Sequence, residues 1–236
     1  MRTADTNIPH SNSPHAVVSG VSSGIGQAIA DTLLAAGWRV TGLCRSRPDR
    51  PHERLHIVQT DLADPSGLPA LCVDMAPVDA LIHAAGFMRT APLGQLSPED
   101  SRAMWTVHVL AAECLANALV PKMANGARIV LIGSRVAQGA ATRSQYASTK
   151  SALIGMTRSW AAELAPRGIT ANVIAPGATD TPFLKDPARA QTQPRLPPIG
   201  RFVRPEEVAA LTAFLVGPFG GAITGQHIVM CGGSSL

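Results

Sequence analysis

The sequence predicts an α/β fold: a doubly wound parallel sheet of about seven strands (a Rossmann fold), with helices on both faces. Three observations carry this. Short apolar runs of strand length alternate with longer helical patterns along the whole chain. The first such run opens into a glycine turn, Gly20-Val21-Ser22-Ser23-Gly24-Ile25-Gly26, and a helical pattern follows at once. No linker-like stretch divides the chain, so residues 15–236 read as one domain after a flexible tail over 1–14.

The elements follow in order. His15 to Ser19 is a buried first strand, and Gln27 to Ala36 a helix closed by Gly37. Trp38 to Leu43 is a second strand. The next crossover, from Ser46 to Arg54, holds two prolines and is too short for a helix, so it reads as a loop before a third strand, Leu55 to Gln59. A short helix over Pro65 to Ala76 leads to a fourth strand, Val78 to His83, which runs into Ala84-Ala85-Gly86. One long helical segment is expected from Leu96 to Ala124, with Ser97 as N-cap. Ala127 to Ile132 is a fifth strand ending at Gly133-Ser134. A helix through Ala165 follows, then a sixth strand, Ile169 to Ile174. Residues 182–204, rich in Pro, Arg, Gln and Ala, read as a mobile substrate-loop segment. Pro205 starts a last helix through Val216, and Ile228 to Met230 is a last strand.

Composition bounds the function. At 236 residues, with 46% hydrophobic and only 15% charged residues, the chain can bury a sizeable core. The net charge of +4 comes almost wholly from scattered arginines, since Lys122, Lys150 and Lys185 are the only lysines. No basic run is interleaved with aromatics, which disfavours nucleic acid; a mild positive field suits an anionic cofactor. Cys44, Cys72, Cys114 and Cys231 match neither a metal site nor CxxC, so they read as reduced thiols of a cytoplasmic protein and no metal is expected. The N-terminus lacks the apolar core of a signal peptide, and no uninterrupted apolar stretch of membrane-spanning length is evident, so no membrane partner is expected.

Two stretches carry chemistry. Glycines between a strand and a helix let the backbone approach a pyrophosphate, while the helix N-terminus supplies N–H groups and positive dipole. The spacing here is GxxxGxG. At the end of the second strand, where a dinucleotide's adenosine ribose would lie, stand Cys44-Arg45-Ser46-Arg47 rather than an acid. A cation there welcomes a 2′-phosphate, which favours NADP(H) over NAD(H); the alternative is that Arg45 and Arg47 are solvated loop charges. The second stretch is Gln145-Tyr146-Ala147-Ser148-Thr149-Lys150. One helical turn separates Tyr146 from Lys150, so both leave one face, and a nearby ammonium lowers a phenol's pKa toward the range of acid–base catalysis. Taken alone, the pair also reads as a surface i,i+4 contact.

In register, these motifs resemble the short-chain dehydrogenase/reductase family, single-domain type, and its 3-oxoacyl-carrier-protein reductase-like members. The carriers are Gly20, Gly24 and Gly26, Asp61, Ala85-Gly86, Ser134, Tyr146 with Lys150, Asn172, Pro176-Gly177 with Thr181, and the glycines Gly225, Gly232 and Gly233. The resemblance implies that Tyr146 is the general acid or base, that Lys150 lowers its pKa and binds the nicotinamide ribose, and that Ser134 holds the substrate oxygen. It implies a cofactor site of Gly20, Ser22, Ser23, Gly24, Ile25, Gly26, Arg45, Ser46, Asp61, Leu62, Ala84, Ala85, Gly86, Pro176, Gly177, Thr179 and Thr181, beside Tyr146 and Lys150. Asp61 would hold adenine, Arg45 the 2′-phosphate, and Thr179 and Thr181 the carboxamide and a nearby phosphate.

Three departures stand out. His83-Ala84-Ala85-Gly86 replaces an Asn-Asn-Ala-Gly pattern, and the Ser134–Tyr146 spacing is about one residue short. His108 stands where the family places an asparagine that holds a relay water; it reads either as part of that relay or as a satisfied helix histidine. The expected function is NADP(H)-dependent interconversion of a ketone and a secondary alcohol, acting on a small-molecule carbonyl or alcohol. Alternatives are NAD-linked oxidation of a cyclic diol or sugar alcohol, and a catalytically inactive cofactor-binding regulator. The substrate pocket would draw on Phe87 to Thr90, Arg135 to Arg143 and Pro182 to Leu196, with Arg89, Arg135, Arg143, Arg189 and Arg195 as possible anion contacts. A homotetramer or homodimer is implied, with Ala111, Ala112, Ala116 and Ala118 and the last helix supporting the contacts.

Overall fold

A computed structural model describes residues 13–75, 77–185 and 195–236, the side chain of Lys185 apart. The tail over 1–12, Ala76, Arg189 and the middle of the expected substrate loop lie outside the described residues. Seven strands form one parallel sheet: β1 (His15–Ser19), β2 (Arg39–Cys44), β3 (Leu55–Gln59), β4 (Val78–His83), β5 (Met123–Ile132), β6 (Thr170–Pro176) and β7 (His227–Met230). Their order is β3-β2-β1-β4-β5-β6-β7. The helices are α1 (Gly24–Ala35), α2 (Leu68–Cys72), α3 (Pro98–Trp105), α4 (Ala111–Leu119), α5 (Ser144–Leu164) and α6 (Pro205–Val216).

Strand alternation builds two cores. Val17, Leu81, Ile129 and Leu131 point to one face, where Leu68 of α2, Leu115 and Leu119 of α4 and Leu153 of α5 cover them. Their neighbours Val18, Ala80, Ile82, Val130 and Ile132 point to the other, against Ile29 and Leu33 of α1 and Val208 and Leu215 of α6. Buried on both faces, the inner strands β1, β4 and β6 read as largely apolar runs, as a parallel sheet favours.

The long helical segment is not regular. Ser97 caps α3 by accepting the Asp100 N–H at 3.1 Å, as its sequence suggests. Then a π-helical turn, Thr106–Leu110, separates α3 from α4. In it, the Val107 carbonyl accepts a hydrogen bond from Nε2 of His83 at 3.0 Å. Ala111, Ala112 and Ala116, expected to support subunit contacts, are buried in this chain's own core, so their apolar face already has a partner. The run Pro98–Lys122 is long and apolar enough to cross a membrane, yet Leu115 and Leu119 within it are fully buried against the sheet.

The strand order reverses beside β1. The chain goes from β1 to β2 and β3 on one side, then returns to β4 on the other, so the connections that leave the carboxyl ends of β1 and β4 run to opposite sides. Such a switch point is where an open α/β sheet binds ligands.

Candidate active site

A cleft of about 1410 Å³ opens over the carboxyl ends of β1, β4, β5 and β6. At its centre the turn after β1 presses on the segment after β4. Gly20 has φ +77°, and a Cβ there would lie 2.8 Å from the Ala85 nitrogen, so no other residue fits. A Cβ on Gly26 would lie 2.3 Å from the Gly20 carbonyl oxygen, which lets α1 start directly under the turn. Ser23 precedes α1 in an extended conformation and makes no side-chain cap, and the first turn holds no acidic residue. The N–H groups and dipole of this helix end, at Ser23, Gly24 and Ile25, are left to the cleft.

Ser19 and His83 lock this floor. Alignment of β1 with β4 sets Ser19 opposite His83. Nε2–H of His83 donates to Val107, so Nδ1 accepts from the Ser19 hydroxyl at 2.9 Å. The same hydroxyl oxygen accepts the N–H groups of Ala84 and Ala85 at 3.1 and 3.2 Å. Full burial, and secondarily the Lys150 charge, hold the His83 pKa down at about 3, so the ring is neutral. The histidine thus fixes the Ala84-Ala85 segment by way of Ser19.

Just past the end of β5, Ser134 accepts the Val136 N–H at 3.1 Å and lines the cleft. On α5, Tyr146 and Lys150 share the buried face, at 8% and 4% exposure. The helical spacing brings the Lys150 ammonium to 5.8 Å from the Tyr146 ring centroid. The ammonium donates to the Ile132 carbonyl at 3.0 Å. Burial pushes the Lys150 pKa down to about 7, because charge is costly where water is excluded.

His108 lies beneath the cleft, fully buried. Its Nε2 accepts the Phe87 N–H at 3.1 Å, so the proton sits on Nδ1, which donates to Thr149 Oγ1 at 2.8 Å. Thr149 in turn donates to the Tyr146 carbonyl at 2.9 Å. Burial, then the charges of Lys150 and His83, hold its pKa well below the usual histidine value. Both nitrogens are thus engaged, and His108 clamps α5 to the segment after Gly86. A Cβ on Gly86 would come within 3.0 Å of this Nε2, so the glycine is what admits the imidazole.

Nearly all the other expected residues meet here. Gly20, Ser22, Gly24, Gly26, Arg45, Asp61, Leu62, Ala84 to Gly86, Pro176, Gly177, Thr179 and Thr181 line the cleft. Ser46 does not, because it stands one residue beyond Arg45 at the end of β2. Asn172 is also apart: its side chain donates to Ile223 at 2.7 Å and accepts from Gln226 at 3.1 Å, tying β6 to the approach to β7. Sequence reasoning missed Ser19 and Thr149 as partners of the two histidines, and Ser234 and Leu236 as cleft residues.

Comparison with known proteins agrees with this geometry. The pattern of the enoyl-(acyl carrier protein) reductase family matches residues 20–235. A 3-oxoacyl-(acyl-carrier-protein) reductase of Salmonella typhimurium is 32% identical over 234 residues, 92% of this chain and 96% of that protein. The 2,3-dihydro-2,3-dihydroxybenzoate dehydrogenase of Escherichia coli is 32% identical over 238 residues, 93% and 96% of the two chains. A short chain dehydrogenase from Burkholderia cenocepacia, solved in complex with NADP, superposes with a TM-score of 0.87 at 35% identity, covering 94% of this chain and 98% of that one. The chain belongs to the short-chain dehydrogenase/reductase family and is an oxidoreductase.

Proposed function

We propose that the protein interconverts a ketone and a secondary alcohol with NADP(H). The observation that carries this is the convergence of Ser134, Tyr146 and Lys150 on the cleft into which the uncapped end of α1 opens. The dinucleotide fits that cleft. Its pyrophosphate would meet the α1 N-terminus, Arg45 would meet a 2′-phosphate, and Asp61 and Leu62 would flank the adenine. The Burkholderia relative's NADP complex and the reductase relatives support this cofactor.

The bound cofactor supplies the hydride; the chain positions, polarises and moves the proton. Ser134 donates to the substrate oxygen, where negative charge grows. Tyr146 delivers its phenolic proton to the same oxygen, and the neighbouring Lys150 ammonium stabilises the phenolate left behind. In oxidation the phenolate takes the proton back. Assembly as a homodimer or homotetramer is supported by outward apolar residues near α6 and β7, Phe214, Phe219 and Val229.

Purified protein with NADPH or NADH and a panel of ketones tests the reading. NADPH consumption that stops in a Tyr146→Phe variant is the expected result. Tight cofactor binding with no turnover on any ketone or alcohol would favour a regulator instead. A second reading, oxidation of a cyclic diol with NAD, draws on the dihydrodiol dehydrogenase relative and on the helix-free crossover between β2 and β3. Preferential binding of NADH would favour it.

A further inference from the structure

The crossover from β2 to β3 carries Arg45, but it is held in place by Arg50. Arg45, Ser46, Arg47, Asp49 and Pro51 are exposed, while Arg50 is half-buried. Among the described residues, the hydrogen bonds that tie residues 45–51 to other elements all come from the Arg50 side chain. One of its terminal nitrogens donates to the Asp31 carboxylate on α1. The other donates to the Val21 carbonyl, in the glycine turn, at 2.9 Å. An exposed ion pair alone holds little, and Asp31 is exposed. Here one planar guanidinium donates in two directions, to a carboxylate and to a backbone carbonyl.

The turn itself rests on β2. The Gly20 N–H donates to the Leu43 carbonyl at 2.8 Å. The Val21 side chain is fully buried over Gly42, where a Cβ would lie 2.6 Å from it. The Arg50 bond then joins the turn to the loop that leaves the same strand. A trans peptide sets its N–H opposite its carbonyl, so holding the Val21 carbonyl also sets the direction of the Ser22 N–H. Ser22 lines the cleft; Arg50 is not among the described residues that do. The two parts that Arg50 joins both face the cleft, the turn at Ser22 to Ile25 and the crossover at Arg45. A dinucleotide with a 2′-phosphate spans both, and one without it uses the turn alone.

We propose that Arg50 is a positioning residue for the cofactor: by joining the crossover to the glycine turn, it sets Arg45 at the spacing from the turn that a 2′-phosphorylated dinucleotide requires. This rests on the NADP(H) reading above. A seat ordered in advance spares the ordering cost on binding, so loss of Arg50 weakens NADPH more than NADH.

Calorimetric titration of the whole protein with NADPH and with NADH, without substrate, tests this. In Arg50→Gln the ratio of the two dissociation constants, NADH over NADPH, is expected to fall about fivefold or more, and in Arg50→Lys to recover in part. Asp31→Asn leaves the Val21 bond in place, so its ratio is expected between those of wild type and Arg50→Gln; it carries the test if Arg50→Gln does not fold. A merely structural role weakens both cofactors alike, so an unchanged ratio overturns the proposal. Arg45→Ala supplies the second arm. In that background Arg50→Gln is expected to leave the ratio where it is, because the side chain it positions is gone. An equal fall in both backgrounds means that Arg50 does not act through Arg45, and overturns the proposal. A preference for NADPH that Arg45→Ala removes and Arg50→Gln spares overturns it and leaves the NADP(H) reading standing. Wild type that binds NADH as tightly as NADPH overturns both.

Discussion

His108 donates its Nδ1–H to Thr149 Oγ1 across 2.8 Å, and Thr149 lies between Tyr146 and Lys150 on α5. Helix α5 is thereby tied to a histidine that also takes the Phe87 N–H. Thr149→Val keeps the shape and removes the acceptor, leaving a buried N–H unpaired. A loss of about 1–3 kcal/mol is expected in urea unfolding, with Thr149→Ser close to wild type. Equal stability of wild type and Thr149→Val would show that the bond contributes nothing.

The same network predicts what His108→Asn does to catalysis. A neutral imidazole with both nitrogens engaged passes no proton, so the variant should lose rate by misplacing Tyr146 but keep the position of every inflection in its pH–rate profile. An inflection that vanishes with the imidazole would restore the relay that the sequence position suggested.

Lys150 gives the opposite expectation. Its pKa is about 7, so the ammonium that favours phenolate is lost as pH rises through that value. On the proposed mechanism, Tyr146 releases a proton in carbonyl reduction and the ammonium stabilises the phenolate that remains. The kcat/KM for NADPH, which reports the free enzyme, should therefore fall as pH rises through about 7. Lys150→Met should flatten that limb and slow the reaction about a hundredfold or more. A wild-type profile level between about pH 6 and about pH 9 would mean that the ammonium does not set the tyrosine.

His83 links the cleft floor to acid stability. Its folded pKa, about 3, lies below the ordinary value of 6.5. The unfolded chain therefore takes the proton first: the stabilisation is complete above pH 6.5 and is lost as pH falls from 6.5 toward 3. By about pH 5 the loss reaches about 2 kcal/mol from this residue, with His108 adding in the same direction. Urea midpoints measured from neutral to mildly acidic pH should show a shallower decline in His83→Asn. An identical decline would assign the acid limb to other groups.

The sheet was legible because its strands are plain apolar runs: β1, β3 and β4 span the residues that the pattern indicates. The pairing of Tyr146 with Lys150 was legible because helical spacing alone puts both on one face. The π turn at Thr106–Leu110 was not, since the apolar period stays compatible with an α-helix and the turn's Val107 carbonyl meets a partner 24 residues earlier in the chain, His83. The histidine protonation states were hidden for the same reason. Ser19 lies 64 residues from His83, and Thr149 lies 41 from His108, so residue type and local spacing could not show which nitrogen donates. Sequence alone also could not show that Ala111, Ala112 and Ala116 face the sheet, because small apolar residues suit a sheet-packed face and a subunit contact equally well.

Arg45 carries the last prediction. It is exposed at the end of β2 and lines the cleft, and no hydrogen bond or ion pair engages its side chain among the described residues. A solvated guanidinium is free to pair with a 2′-phosphate, and Asp61 stands across the cleft mouth after β3. Arg45→Asp exchanges that attraction for repulsion and offers a carboxylate to a ribose hydroxyl. NADPH affinity should weaken about tenfold or more while NADH affinity holds or improves, measured by quenching of protein fluorescence or calorimetry. Ser46, one residue further on and outside the cleft, serves as the control: Ser46→Ala should leave the ratio of the two affinities close to wild type. If Arg45→Asp weakened both cofactors alike, the cation would be a solvated loop charge, and the preference for NADP(H) would need another source.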